Sequence, residues 1–370
     1  MKKEKILICG ILPPPIFGHS AMYKILMESR FVKAHNIKFL NMHFWSYGKH
    51  KKVTFEKLIK MIKYFFEYLV YIVGFRPKYV LYNMSWDRMP FLKDFLFCAT
   101  AIIFGRKLVI HDMGQYVKEL YDNSGPIFKL LIRWLLRHTT ASIVLGEDTK
   151  KYYKGLLGEN RIFAVPGSVE DSINIGIPSV EKKEKEYLGI LYFSYLAQSK
   201  GVYTAFKAAE KICSQRKDVK FEFAGPLESD QVEAELDQLK GRYNSQIEYL
   251  GYIGDAEKRT TIFRSADLFI FPTHRDVFGL VLLHAMAEGL AIVASFEGTI
   301  PEIIGDGING ILFKKGDVNS LANGIIKLLD DADLRKKIGT ENRKRFLKFY
   351  APDIYGTNMI KVFELIGDLK

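Results

Sequence analysis

The sequence predicts an α/β protein built from two doubly wound parallel-sheet domains, and three observations carry that prediction. Short β-rich apolar runs alternate with helix-length segments from one end of the chain to the other. Those runs lack the polar alternation of a half-solvated strand, so each strand must be covered on both faces. With 370 residues the chain exceeds the size at which one hydrophobic core stops growing.

In order, the predicted strands of the first domain are "KILICGIL", "IKFLNM", "YVLYNM", "KLVIHD", "ASIVLG" and "IFAVPG". Those of the second are "LGILYFS", "VKFEFAG", "IEYLGY", "DLFIFP" and "AIVAS". Between the series lies "INIGIPSVEKKEKEYLG", where Pro178 and a run of lysines and glutamates have linker composition. The boundary is therefore expected near 175–187, giving domains of 1–180 and 181–350. The final amphipathic segment, 351–370, could pack on either domain.

Composition narrows the class. At 48% hydrophobic and 26% charged residues, the chain reads as a globular protein and not a disordered one. Its three cysteines, Cys9, Cys98 and Cys213, lie far apart without metal-ligand spacing, so neither disulfide nor zinc is expected and a reducing cytosol fits. The opening "MKKEKILICGILPPP" reads as a first buried strand, because its apolar run is short and no small-residue cleavage site follows. Lys57, Lys60, Lys63 and Glu67 interrupt the most apolar long stretch, so no span across a membrane is expected.

Charge is uneven. Residues 1–170 hold 27 Lys and Arg against 13 Asp and Glu, while the remainder holds 27 against 29. A one-sided basic domain points to an anionic partner: nucleic acid, a phospholipid surface or a phosphorylated substrate. No recognition motif accompanies the basic residues, which argues against nucleic acid. The stretch "KHKKVTFEKLIKMIKYFFEYLVYIVGFRPK" interleaves lysines with aromatic and aliphatic residues. It fits an interfacial helix on an anionic membrane surface, or a helix packing its apolar side on the sheet.

Ligands of open parallel sheets bind at the carboxyl ends of the strands, and between two such domains the cleft is the expected site. The first turn, "CGILPPPIFGHSAMY", offers Gly18 for close backbone approach and a helix amino terminus for an anion; equally, it is a plain turn with Ser20 as N-cap. It is not GxGxxG, which argues against a dinucleotide site. After "KLVI", His111 and Asp112 would stand at the mouth of the cleft, where a histidine can bond a sugar hydroxyl or serve structure alone. "DDAD" at 330–333 reads as a capping turn, not a metal-nucleotide motif.

In the second domain, Lys200 and Gly201 open a helix after a strand, a placement suited to a diphosphate. Tyr252 and Ile253, in "YLGYIG", lie in a turn suited to hold a flat base by main-chain contacts. "DVFGLVLLHAMAEGLAIVAS" begins with Asp276 at the approach to a buried helix, whose first amides at Phe278, Gly279 and Leu280 lack partners; there Asp276 is either a plain helix cap or part of an anion site. His284 lies two turns in, where it could reach a ribose or be a satisfied core histidine. Gly289 fits the helix C′ position.

These residues resemble the retaining, family-four type of glycosyltransferase, which has the two-domain GT-B fold. "DVFGLVLLHAMAEGLAIVAS" tracks that family's E-x7-E motif, and "GTIPEIIGDGINGILFKKGDVNSLANGIIKLL" looks like its following segment. The resemblance runs over the whole chain and is specific from 188 to 347. It implies that Asp276 contacts the donor sugar, that Phe278 to Leu280 offer amides to sugar and diphosphate, and that Lys200 holds the diphosphate. His111 would lie near the transferred sugar, and Gly18 in the loop facing the phosphates. Two departures stand out. His284 replaces the second glutamate, which grips the ribose hydroxyls, and Ser194, Tyr195 and Leu196 replace the usual Gly-Arg-Leu; Arg275 is the candidate substitute cation.

The expected activity is transfer of a sugar from a nucleotide-sugar donor to a glycan or lipid-linked acceptor, with retention and without metal or cofactor. Cell-envelope polysaccharide or lipopolysaccharide synthesis is the expected setting, in the cytoplasm or on the inner face of the membrane. A noncatalytic GT-B-like binding subunit is the rival, motivated by His284 and Tyr195. A sugar-nucleotide epimerase is a further one.

Overall fold

The computed structural model describes residues 3–14, 18–43, 55–114, 116–172 and 186–369. They fall into two compact units, Met1–Gly167 with Pro352–Lys370, and Ser168–Ala351. The expected boundary segment 175–187 lies largely outside the described residues. Composition placed the division at 180, but residues just before it already belong to the second unit. Ser168 donates to the Tyr350 carbonyl (2.7 Å), Arg343 pairs with Asp171 through two bonds of 3.0 Å, and Arg264 donates to Ser172 (2.9 Å).

Unit 1 runs β1 (Lys5–Gly10), α1 (Gly18–Glu28), α2 (Arg30–Ala34), β2 (Asn36–Asn41), α3 (Phe55–Val70), β3 (Tyr79–Asn83), α4 (Arg88–Ile103), β4 (Lys107–Asp112), α5 (Val117–Asp122), α6 (Pro126–His138), β5 (Ala141–Val144) and β6 (Ile162–Ala164). Its six strands are parallel, in the order β2-β1-β3-β4-β5-β6. Inner strands β1, β3, β4 and β5 are buried almost throughout, as their unbroken apolar runs require, whereas edge strand β2 alternates. Ser20 is the third residue of α1 and buried, so the capping role is corrected: the helix starts earlier, at Gly18.

Unit 2 runs β7 (Leu188–Phe193), α7 (Val202–Cys213), β8 (Val219–Ala224), α8 (Asp230–Arg242), β9 (Ile247–Gly251), α9 (Ala256–Ser265), β10 (Leu268–Phe271), α10 (Leu280–Ala287), β11 (Ala291–Ser295), α11 (Ile300–Ile303), β12 (Ile311–Phe313), α12 (Val318–Asp330) and α13 (Ala332–Arg345). The parallel order is β12-β11-β10-β7-β8-β9. Strand β12 is absent from the sequence reading, because three apolar residues make too short a run to separate from a loop. Side chains cap the helices as their residue types suggest: Ser229, Asp255, Asp317 and Asp331 each accept a first-turn amide. Asp331 thereby confirms the capping reading of "DDAD". A last helix, α14 (Pro352–Asp368), packs in unit 1, where Phe363 meets Phe31 at 5.1 Å and Tyr79 at 5.3 Å.

Each sheet reverses its strand order once. In unit 1 the chain steps from β1 to β2 on one side and returns to β3 on the other. Unit 2 builds β7-β8-β9 outward and then places β10 on the opposite side of β7. Connections leaving the carboxyl ends of β7 and β10 diverge at this point, which opens a crevice in any doubly wound sheet.

Candidate functional site

Lys200 and Asp276 come from the two loops at the reversal of unit 2. Lys200 follows β7 and Asp276 follows β10, and the ammonium Nζ lies 2.6 Å from the carboxylate Oδ2. The same Nζ donates to the Arg275 carbonyl at 3.2 Å. What brings the loops together is Gly201, at φ 73°. A Cβ there would fall 1.8 Å from the Pro272 carbonyl oxygen, so only glycine lets one loop pass the other.

Backbone bonds then lock the pair of loops. The amides of His274 and Arg275 both donate to the Ser199 carbonyl, at 2.9 and 3.0 Å. Thr273 Oγ1 lies 3.3 Å from that same carbonyl and 3.2 Å from the Arg275 carbonyl, while Ser295 donates to the Thr273 carbonyl at 2.6 Å. Tyr192, buried at the end of β7, places its hydroxyl 3.1 Å from the Lys200 carbonyl and 3.2 Å from that of Tyr195. Asp276 is thus held in a framework of neutral donors and acceptors, with the Lys200 ammonium facing it.

The other carboxylate oxygen of Asp276 accepts from the amides of Gly279 (3.0 Å) and Phe278 (3.3 Å). This corrects the expectation that these two amides lack partners. Gly279, at φ 66°, turns the chain into α10, so the helix opens at Leu280 and its own first-turn amides follow. The arrangement places a lysine, a carboxylate and a helix amino terminus within one crevice, a combination suited to an anion with adjoining hydroxyls.

Around this centre, Tyr195 and Arg275 are exposed, and Ser194 half-buried, after β7 and β10. Tyr252 is exposed and Ile253 buried in the turn that follows β9. His284 is half-buried on α10, its ring 5.9 Å from that of Phe263 on α9. Burial, and then the positive charge of Arg259, hold its pKa well below the usual histidine value, so the ring is neutral near pH 7. Arg259 lies one turn before Phe263 on the same face of α9.

In unit 1, His111 and Asp112 are the last two residues of β4, and both are buried. Instead of lining an open mouth as the strand-end position suggested, they are closed in: the phenol of Tyr23, from α1, lies 3.1 Å from His111 Nδ1 and its ring packs edge-on at 5.5 Å. Gly10, at the end of β1, makes room for that phenol, since a Cβ would meet the Tyr23 ring at 2.7 Å. Burial drives the His111 pKa down to about 3, and the nearby His19 acts in the same direction. Asp112 is pushed up to about 7 by burial, against the opposing bonds from Tyr153 (2.6 Å) and the Gly114 amide (2.9 Å). Gly18 is the exposed first residue of α1.

Sequence reasoning therefore found Lys200 and Asp276 but missed their supports, Tyr192, Thr273 and Ser295, and in unit 1 Tyr23 and Tyr153. Only the position of Gly10 and Gly201 at strand-loop junctions could have signalled close packing there. Among the described residues, no three His, Cys, Asp or Glu side chains gather as a metal would need. No helix among them is long and apolar enough to cross a membrane.

Comparison with known proteins adds a family. The model described as "Glycosyl transferases group 1" matches residues 176–345, all within unit 2, the first of them, up to 185, lying outside the described residues. Among curated relatives, the capsular polysaccharide biosynthesis glycosyltransferase CapM of Staphylococcus aureus is 30% identical over 155 residues, covering 42% of this chain and 40% of that protein. A phosphatidyl-myo-inositol mannosyltransferase of Mycolicibacterium smegmatis is 24% identical over 243 residues, covering 65% and 61%. The chain thus spans about half the length of these relatives. Among solved structures, sucrose-phosphate synthase from Thermosynechococcus elongatus matches with a TM-score of 0.76 over 100% of both chains at 16% identity. Anabaena HepE in complex with UDP matches with 0.69 over 98% of this chain and 99% of that one at 14% identity. These likenesses show the fold, GT-B.

Proposed function

We propose, from the premise that residues 176–345 belong to the glycosyl transferases group 1 family, that this protein moves a sugar from a nucleotide-sugar donor to a glycan or lipid-linked acceptor. Unit 2 binds the donor and unit 1 the acceptor. The observation that carries the reading is Lys200 Nζ standing 2.6 Å from Asp276 beside the start of α10, at the reversal of the sheet. The named ligands of HepE, UDP and UDP-glucose, support a nucleoside diphosphate sugar as the donor class.

When a diphosphate enters, Lys200 exchanges its carboxylate partner for phosphate oxygens. That exchange frees Asp276 to accept hydrogen bonds from sugar hydroxyls. The ammonium and the α10 amides then stabilise the charge that develops on the leaving diphosphate. This positive group works without a metal or other cofactor. Transfer proceeds with retention, and the products serve cell-envelope polysaccharide or lipopolysaccharide synthesis at the cytoplasmic face of the membrane.

Calorimetric titration with UDP, GDP, ADP and CMP tests the donor site. One nucleotide should bind selectively, and Lys200→Ala should lose that binding and lower turnover by about one to three orders of magnitude. Unchanged turnover in the variant would remove Lys200 from the mechanism. Proton NMR of the anomeric centre checks retention. The neutral His284, which cannot grip two hydroxyls as a carboxylate does, favours a second reading: a noncatalytic binding subunit. A folded protein that binds none of the four nucleotides would put that reading first.

A further inference from the structure

Unit 1 shows apolar side chains to solvent on a face three helices wide. Along α3 and the π-helical turn Tyr71–Phe75 that continues it, Phe55, Ile59, Ile62, Phe66, Val70 and Val73 recur at spacings of three and four, forming one stripe. All six are exposed, from 48% for Ile62 to 76% for Phe55. This is not the side that packs inward. Tyr68 and Ile72 are buried, Tyr68 donates to the Phe97 carbonyl of α4 at 2.9 Å, and the rings of Phe65 and Phe97 meet at 5.4 Å. Helix α3 is therefore apolar on two adjoining faces, of which the described residues cover one.

Helix α4 repeats the pattern. Met89, Leu92, Leu96 and Ile103 form an exposed stripe between the edge that meets α3 through Phe97 and the edge that meets α6. That second edge is fixed by Phe91 against Phe128 (5.8 Å) and Phe95 against Trp134 (5.5 Å). Ile127 and Leu130 of α6, 75% and 67% exposed, extend the same face. Folded proteins rarely leave so broad an apolar face without a partner.

Charge identifies the partner. Helices α3, α4 and α6 carry eight Lys and Arg against three Asp and Glu. Of the three acids, Glu56 already pairs with Lys60 at 2.6 Å, Glu67 accepts from Tyr71, and Asp94 is buried beside Lys93. A second copy of the chain would bring this cationic face against itself, since a two-fold contact pairs like surface with like. An anionic lipid surface satisfies both features at once, because acyl chains take the apolar stripe and headgroup phosphates take the lysines.

We infer that the α3, α4 and α6 face is a docking surface for an anionic phospholipid bilayer, on which the helices lie flat. The inference rests on the proposed function only for its purpose, which is to bring the site to a lipid-linked acceptor. Its test needs no activity.

The test is flotation of the full chain with phosphatidylcholine vesicles, alone or with phosphatidylglycerol, at low and high salt. The bound fraction should rise about tenfold with phosphatidylglycerol and fall with salt, and Lys63→Gln should weaken binding about fivefold. The double variant Ile59→Asp, Phe66→Asp changes two exposed positions and should abolish binding, with tryptophan fluorescence and nucleotide titration as in the parent. Binding that ignores phosphatidylglycerol or survives the double variant overturns the proposal. So does sedimentation showing a dimer that the double variant splits, which would assign the face to a second copy. A parent that floats but binds no nucleotide refutes the proposed activity and leaves this surface standing.

Discussion

Two carboxylates stand at the carboxyl ends of strands in this molecule, and their surroundings differ. Asp276 of unit 2 has an ammonium at 2.6 Å and two amides on its other oxygen. Asp112 of unit 1 is buried with a phenol and one amide, and no cation among the described residues pairs with it; its pKa is pushed up to about 7. The difference teaches what a strand end does with charge. Where two loops cross at a sheet reversal, their polar groups reach one another and stay open to a ligand. Where a helix side chain such as Tyr23 closes the end, desolvation drives both His111 and Asp112 toward neutrality.

The sharpest way to break this comparison is at the loop crossing. Gly201→Ala puts a methyl 1.8 Å from a backbone oxygen and at a positive φ, so neither neighbour can step aside. We expect unit 2 to lose about 5 kcal/mol of stability and the nucleotide site with it. Gly10→Ala in unit 1 meets a ring at 2.7 Å and should lose about 2 kcal/mol. Hydrogen exchange resolved by unit would check both, and equal losses would show that the crossing is not specially constrained.

The next test concerns pH. Asp112 binds its proton more tightly folded than unfolded, so its stabilising contribution is full below about pH 4 and is lost as pH rises through about 7. His111 has the opposite sign: its contribution is full above about pH 6.5 and is lost as pH falls toward 3. Between about pH 4 and 6.5 the two slopes oppose each other. Asp112→Asn should therefore gain up to about 4 kcal/mol at pH 8 and uncover the acid-side loss due to His111. Urea unfolding followed by fluorescence reads this directly, since all three tryptophans, Trp45, Trp86 and Trp134, belong to unit 1. A variant with the parent's slope would show that Asp112 is charged in the fold.

The smallest effect sharpens the comparison from the side of unit 2. Ser295→Ala removes a buried 2.6 Å bond to the Thr273 carbonyl. It should lower stability by about 1 to 2 kcal/mol. Because the Ser199 carbonyl still holds the His274 and Arg275 amides, nucleotide affinity should change less than threefold. A larger fall in affinity would mean that Ser295 itself positions Asp276.

Much of this was legible in the residues. Eleven of the twelve strands lie in the apolar runs quoted from the sequence, because a strand buried on both faces has no choice but to be apolar along its length. Lys200 and Asp276 were legible too, as polar residues just past such runs. Asp331 could be read as a cap from its place between two helices. The unit boundary was not: Asp171 and Ser172 carry no composition signal, and only Arg343 and Arg264, far along the chain, assign them to unit 2.

By itself, then, the sequence determined the α/β class, the two sheets, most element positions and the two charged residues of the site, since each depends on local periodicity or on the residue type at a turn. Tertiary structure alone decided that Lys200 meets Asp276, that Asp276 holds amides expected to be free, that Tyr23 seals His111, and that the described residues leave one face of α3 uncovered. These are contacts between residues tens of positions apart. They depend on strand order and on which face of a helix meets a neighbour, and neither is written in any short stretch of chain.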